Sequence, residues 1–240
     1  MNRKIYIIAD SHLGGKEGDI AQIQQWLDTL DPNASEIICL GDFFHIWASP
    51  KKYHSIEVTE MIASMGEFRD RGGVFHLVVG NRDIFFKAGL TGLPFEEIAM
   101  DFLVLERFGK KLLFSHGDLV NSQDKQYLRW RKLVRSLPFR LFFNLLPAAK
   151  VKGIMADLEQ KLQETNQAFR IEFPEEEWLA FLQKNLHKQT FDLMAIGHFH
   201  PASLKETKID GSIGLVVPDW YESRQVLVID EDFQYAMQPT

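Results

Sequence analysis

The chain has 240 residues, 45% hydrophobic and 25% charged, which suits one large domain with a substantial core of its own. Its formal net charge of -6 excludes a generally basic nucleic-acid binder, and its single cysteine, Cys39 in the apolar run EIICL, excludes an intrachain disulfide. The apolar run behind the basic N-terminal residues is too short for a signal segment, and no stretch approaches the ~20 apolar residues of a membrane span, so the expected location is cytoplasmic.

In chain order, Lys4–Ala9 reads as a buried strand, Asp19–Leu30 as an amphipathic helix and Glu36–Leu40 as a second strand. A helical pattern over Ile56–Arg71 and a strand at Val74–Val79 follow. This alternation implies a parallel sheet covered by helices, with its ligand site off the carboxyl ends of the strands. Phe102–Arg107 and Lys111–Ser115 read as strands joined through FGKK as a hairpin. The pattern is helical from about Asp124 to His187, and strand-like runs return at Phe191–Ile196, ASLKETKI, GSIGLVV and RQVLVID. The expected fold is a two-sheet α/β sandwich, one domain over 1–240 with a helical insertion at about 124–187.

Polar clusters close these strands. The first ends in Asp10-Ser11-His12, whose i and i+2 side chains share a face, and the second ends in LGDFFHIW with Asp42. The third ends in VVGNRD with Asn81, Arg82 and Asp83; FSHGD brings His116 and Asp118, and MAIGHFH brings His198 and His200. Nearly every cluster adjoins a glycine, which lets the backbone turn sharply and leaves room for a bulky anion. Asp10, His12, Asp42, Asn81, His116, His198 and His200 offer hard oxygens and neutral imidazoles and no thiolate. That mixture suits Mn²⁺, Fe²⁺ or Zn²⁺ over Ca²⁺ and has too many donors for one closed tetrahedral zinc. Two divalent ions ~3.5 to 4 Å apart, sharing one carboxylate, account for the number and form a clamp for in-line displacement at phosphorus. His45, His54, His76 and His187 read as structural or surface residues, and Trp47, Trp220 and Tyr221 as core or rim aromatics.

D-x-H, G-D, G-N-x-D, H-G-D and G-H-x-H in this order resemble the calcineurin-like metallophosphoesterase superfamily, from Asp10 to His200. The resemblance implies an α/β/β/α sandwich with a helical lid. It assigns one metal to Asp10, His12, Asp42 and His200, and the other to Asp42, Asn81, His116 and His198, with Asp42 as the bridge. Asp83 and Asp118 are then expected to orient the ligands.

Many members carry a histidine after the asparagine as general acid, where this chain has Arg82. A guanidinium stays protonated and delivers no proton, but its fork matches phosphate oxygens. A phosphoanhydride, whose leaving group is a phosphate of low pKa, fits such a site better than a nucleic-acid phosphodiester does. GNRD, LGDFFHIW and SHGDLVNSQDKQYLRWR resemble in particular the UDP-2,3-diacylglucosamine diphosphatases of lipid A biosynthesis, which release UMP and the diacylglucosamine 1-phosphate known as lipid X. The resemblance implies that Asn81, Arg82 and His198 act on the phosphate and that Asp124 contacts substrate. Tyr127 and Arg131 are expected to contact it too, as is Arg170, which with Gln163 and Gln167 has a spacing similar to the Ser, Asn and Lys contacts of that branch, of which the chain has no obvious copy. This chain reads GHFHP where that branch reads G-H-T-H-R-P, so Phe199 replaces a threonine and the arginine is missing.

Between Lys125 and Lys152 stand eight Lys or Arg residues and no Asp or Glu, interleaved with Trp130, Leu133, Val134, Leu137 and FRLFFNLLP. A stretch both basic and apolar suits an acyl-chain lid seated on the anionic inner-membrane surface, so the expectation is a cytoplasmic protein peripheral to that membrane. The alternatives are a broader nucleotide or phosphoester hydrolase with the same metals, and a non-catalytic lipid-binding scaffold.

Overall fold

A computed structural model describes residues 3–45, 47–87, 89–90, 92–147, 150–151, 153 and 173–240. Its strands are β1 (Lys4–Ile8), β2 (Ser35–Cys39), β3 (Trp47–Ala48), β4 (Val74–Val78), β5 (Asp83–Ile84), β6 (Glu97–Ala99), β7 (Leu103–Arg107), β8 (Lys110–Ser115), β9 (Leu193–Ile196), β10 (Lys205–Ile209), β11 (Ser212–Val216), β12 (Gln225–Ile229) and β13 (Tyr235–Pro239). Its helices are α1 (Asp19–Thr29), α2 (Ile56–Asp70), α3 (Lys125–Val134), α4 (Leu137–Asn144), α5 (Glu175–Lys188) and α6 (Trp220–Ser223).

One sheet has six strands in the order β13-β12-β1-β2-β4-β6, the other five in the order β10-β11-β9-β8-β7. The period-two alternation of each strand decides which layer its side chains enter. Ile5, Ile7, Ile38, Leu40 and Val78 of the first sheet meet Leu112, Phe114, Leu193, Ala195 and Leu215 of the second in one buried layer. The outer face of the first sheet, with Ile37, Cys39, Phe75 and Leu77, is covered by Ile23, Trp26 and Leu27 of α1 and Met61, Met65 and Phe68 of α2. The outer face of the second, with Leu113, Met194, Ile196 and Val216, is covered by Trp178, Phe181 and Leu182 of α5. The result is an α/β/β/α sandwich.

β1, β2, β4 and β6 are mutually parallel, and so are β8, β9 and β11, which brings their carboxyl ends to one rim. β7 and β8 turn through Phe108 and Gly109, with φ of 56° and 67°, the left-handed pair that a tight two-residue hairpin requires. At the end away from the rim, Glu36 accepts two hydrogen bonds from Arg107, both at 2.7 Å, and one from His76 at 2.9 Å. These three share the inward parity of Ile38, Val78 and Leu105, so the ion pair closes the layer between the sheets.

The helical span expected at 124–187 has two parts among the described residues. α5 belongs to the outer layer of the sandwich, whereas α3 and α4 lean on the rim. α4 is anchored by Phe143 in a cluster with Ala48, Tyr53, Ile84 and Phe85. Five elements are absent from the sequence expectation: the two-residue pair β3 and β5, the edge strand β6, the short helix α6, and β13, none of whose residues is fully buried.

Candidate metal centre

Asp10, His12, Asp42, His198 and His200 all adopt left-handed backbone, with φ of 47°, 44°, 49°, 71° and 48°. For residues other than glycine this costs on the order of 1–3 kcal/mol each and persists only where surrounding structure imposes it. Here the strand-end loops are laced together. His12 N–H donates to Asp42 O at 3.0 Å, Leu13 to Phe43 at 2.9 Å, Gly197 to His116 at 2.9 Å and Trp220 to Ala9 at 2.8 Å.

The motif glycines serve the same end. A Cβ on Gly41 would lie 2.6 Å from His116 Nδ1, one on Gly80 would collide with the Asp42 carboxylate, and one on Gly197 with that of Asp10. The clearance expected for a bulky anion is therefore filled at these three positions by donor side chains.

Donor atoms of Asp10, His12 and His200 lie within 4.8 Å of one another, as do those of Asp10, Asp42 and His116. Asp10 is common to both groups, with Asp42 Oδ1 3.8 Å from His116 Nε2. His116 Nδ1 donates to Leu40 O at 2.7 Å, which turns Nε2 toward Asn81 Oδ1 at 2.9 Å and His198 Nδ1 at 3.2 Å. The structure thus places all seven predicted donors around one rim.

Burial and crowding of like charge set the electrostatics. Burial, together with neighbouring Asp10, raises the carboxyl of Asp42, and burial with neighbouring Asp42 pushes Asp83 up to about 7. His116 is disfavoured as a cation by burial, but Asp42, Asp10 and Asp118 overcome this and raise it to about 9. His198, pressed by burial and by His116, falls to about 4. Asp10 Oδ1 and His12 Nδ1 are buried without a hydrogen-bond partner. Orphaned donor atoms among crowded carboxylates are what a divalent cation would satisfy, and the oxygen and imidazole set fits one.

Around the donors, Asp83 Oδ2 accepts from the backbone of Asp42 at 3.0 Å and of Gly80 at 2.8 Å, fixing both loops. Arg82 donates its backbone N–H to Asp42 Oδ1 at 2.7 Å and holds Nε 3.7 Å from Asp42 Oδ2. Asp118 accepts from Tyr127 Oη and from Arg131 Nε, and Asp124 caps α3 by accepting from Tyr127 N at 2.8 Å. Among the residues expected to contact substrate, Tyr127 and Arg131 are thus tied to Asp118, while Arg170 lies outside the described residues. Sequence reasoning missed Asp219, whose Oδ1 is 3.6 Å from His200 Nδ1 and whose Oδ2 caps α6 through Glu222 N. The spacing of Asp219 and Glu222 signals only that cap. Of the three aromatics expected in the core or at the rim, Tyr221 stands 5.8 Å from the His12 ring, whereas Trp47 and Trp220 are core.

The family model for calcineurin-like phosphoesterases matches residues 3–202. The chain belongs to that family. This calcineurin-like phosphoesterase is accordingly a metal-dependent hydrolase, and the two groups at the rim, Asp10 with His12 and His200 and Asp10 with Asp42 and His116, could each hold a metal ion. It is 27% identical over 233 residues to the UDP-2,3-diacylglucosamine hydrolase of Aeromonas hydrophila, covering 92% of this chain and 92% of that one. With the enzyme of the same name from Vibrio cholerae the identity is 27% over 241 residues, covering 96% and 94%. A solved archaeal phosphodiesterase superposes with a TM-score of 0.46 at 14% identity, covering 98% of each chain. No helix of the phosphoesterase among the described residues is long and apolar enough to cross a membrane.

Proposed function

We propose that the protein hydrolyses the pyrophosphate of UDP-2,3-diacylglucosamine to UMP and 2,3-diacylglucosamine 1-phosphate, a step of lipid A biosynthesis. The observation that carries this reading is Arg82, buried at the rim with its guanidinium 3.7 Å from Asp42. A group that releases no proton near neutral pH serves a leaving phosphate that departs without one. The names of the relatives supply the substrate.

In this reading one cation takes Asp10, His12, Asp42 and His200, and a second takes Asp42, Asn81, His116 and His198, with Mn²⁺ ahead of Fe²⁺ or Zn²⁺. Divalent cations bound there polarise phosphoryl oxygens and acidify water for in-line attack. Asn81, Arg82 and His198 hold the oxygens of the phosphorus under attack. Asp83 and Asp118 keep the loops and the His116 imidazole in place. Asp124, Tyr127, Arg131 and Arg170 serve the remainder of the substrate.

α3 and α4 form the lid. Leu133, Leu137, Leu141, Phe142 and Leu145 are exposed, Phe142 at 58% and Leu145 at 84%, beside Lys132 and Arg140. Exposed leucine and phenylalanine in a stretch rich in cations suits seating on an anionic membrane surface at the cytoplasmic face, where the acyl chains of the substrate reside.

Incubation with Mn²⁺ and UDP-2,3-diacylglucosamine, with separation of the products, tests the reading. UMP is the expected nucleotide. Cleavage of simple aryl or nucleotide phosphoesters alone would favour the broader hydrolase, and no turnover with metal fully loaded would favour the scaffold.

A further inference from the structure

Helix α3 carries Tyr127, Trp130 and Arg131 to the rim, yet none of its residues is buried. A helix of ten residues is marginal by itself in water, so something other than apolar burial fixes its place. Trp130 meets Phe139 of α4 edge-on at 6.1 Å, Tyr127 donates its hydroxyl to Asp118, and Arg131 and Arg135 add charged ties to the sandwich. Arg131 donates from Nε to Asp118 Oδ2 and from Nη2 to Asp101 Oδ1, both at 2.6 Å. Arg135, one residue past the helix, donates from Nη1 to the same Asp101 oxygen at 2.9 Å and to Met100 O at 2.6 Å. Its Nη2 reaches Val79 O at 3.2 Å.

The ties to Asp118 and Val79 end on loops that carry donors, and those to Asp101 and Met100 end on the turn between β6 and β7. Val79 lies two residues before Asn81, Asp118 lies two residues after His116, and Asp101 stands on the turn between β6 and β7. Both guanidiniums are largely withdrawn from solvent, at 12% and 15% exposure, where a charge-assisted hydrogen bond is stronger than at an open surface. Asp101 joins them, since one carboxylate oxygen receives both arginines and keeps two like charges a turn apart from repelling α3 off the rim.

We infer that Asp101 and Arg135 are positioning residues that latch α3 onto the loops of Asn81 and His116. The latch sets the width of the cleft lined by Asn81, Phe85, Tyr127, Trp130, Arg131 and Arg135, in which the part of the substrate beyond the phosphates lies. The hydrogen bonds and ion pairs of Asp101 go to Arg131 and Arg135, so its effect passes through α3. The kinetic consequence rests on the proposed function, while the latch itself is read without any substrate.

The test uses the full-length protein loaded with Mn²⁺ and compares wild type, Asp101→Ala and Asp101→Glu. Four of the five tryptophans, Trp26, Trp47, Trp178 and Trp220, are buried, so quenching of tryptophan fluorescence by iodide reports on Trp130. Asp101→Ala is expected to steepen the quenching slope, and Asp101→Glu to return it to the wild-type value. With UDP-2,3-diacylglucosamine, Asp101→Ala is expected to raise KM about tenfold and to leave kcat within about twofold, because a misplaced binding wall weakens capture before it affects chemistry. Turnover of bis(4-nitrophenyl) phosphate, too small to span the cleft, should be unchanged, and Asp101→Glu should restore KM. An unchanged quenching slope overturns the latch, as does an equal loss of kcat on both substrates. A wild-type protein inert toward the nucleotide sugar overturns the proposed substrate instead, and the quenching slope then decides the latch.

Discussion

The backbone N–H of His198 donates to Asp10 Oδ2 at 2.6 Å, fastening the loop after β9 to the acid that ends β1. The two strands belong to different sheets, so this bond crosses the seam of the sandwich and ties the two halves of the candidate centre to one another. The left-handed backbone of both residues is held by contacts of this kind.

Gly197 sits between them with no side chain. Gly197→Ala would drive its Cβ into the Asp10 carboxylate and against Ala9, so the variant should keep its far-ultraviolet circular dichroism and lose divalent-metal affinity by about 10- to 100-fold. Calorimetric titration with Mn²⁺ measures this. Wild-type affinity in the variant would contradict the role given to that clearance.

Asp42 and Arg82 separate metal retention from substrate engagement. Asp42→Ala removes the carboxylate proposed to be shared between the two cations and should lower kcat on the order of 10³-fold together with bound metal. Arg82→Ala should retain metal and chiefly raise KM, with Arg82→Lys recovering only part because a point charge does not replace a fork. Steady-state kinetics beside metal analysis of each variant distinguishes the two patterns.

Much of this centre was legible in the sequence because its donors sit at strand ends, where a short apolar run followed by acid or histidine and glycine is a local signal. Asp10, Asp42 and Asn81 could be placed on one rim from the βαβ rhythm, and His116 from the same strand-end pattern of an apolar run followed by histidine, glycine and acid. Asp219 could not, since the α6 cap that it makes hides its approach to His200 from a different part of the chain. Nor could the engagement of Tyr127 and Arg131 by Asp118, which depends on how α3 settles on the rim. β3 and β5 escaped because two-residue strands have no periodicity, and β13 because its residues remain half exposed.

At the opposite end of the sheets, Glu36 is 1% exposed and its carboxyl falls from 4.5 to about 2: burial opposes ionisation, but the hydrogen bonds from His76 and Arg107 outweigh it. A carboxyl depressed on folding stabilises the native state fully above pH 4.5, and that contribution fades as pH falls toward 2. Urea midpoints of the wild type should therefore drop across this window. Glu36→Gln should be less stable at pH 7 by on the order of 3 kcal/mol and lose less on acidification. Equal acid slopes in the two proteins would contradict this assignment.

Leu145 is the most exposed large apolar residue among those described, at 84%. Leu145→Glu should weaken binding to vesicles containing anionic phospholipid, on the order of fivefold, and leave hydrolysis of a soluble aryl phosphodiester unchanged. Co-sedimentation with vesicles measures it, and undiminished binding would remove α4 from the membrane surface.

The most direct test of the central claim follows UMP release from UDP-2,3-diacylglucosamine by the protein loaded with Mn²⁺, beside the same protein stripped by chelator and the Asp42→Ala variant. The account predicts UMP and the diacylglucosamine 1-phosphate in equal amounts from the loaded wild type alone. Release that survives both metal removal and Asp42→Ala, or no release from fully loaded wild type, would contradict it.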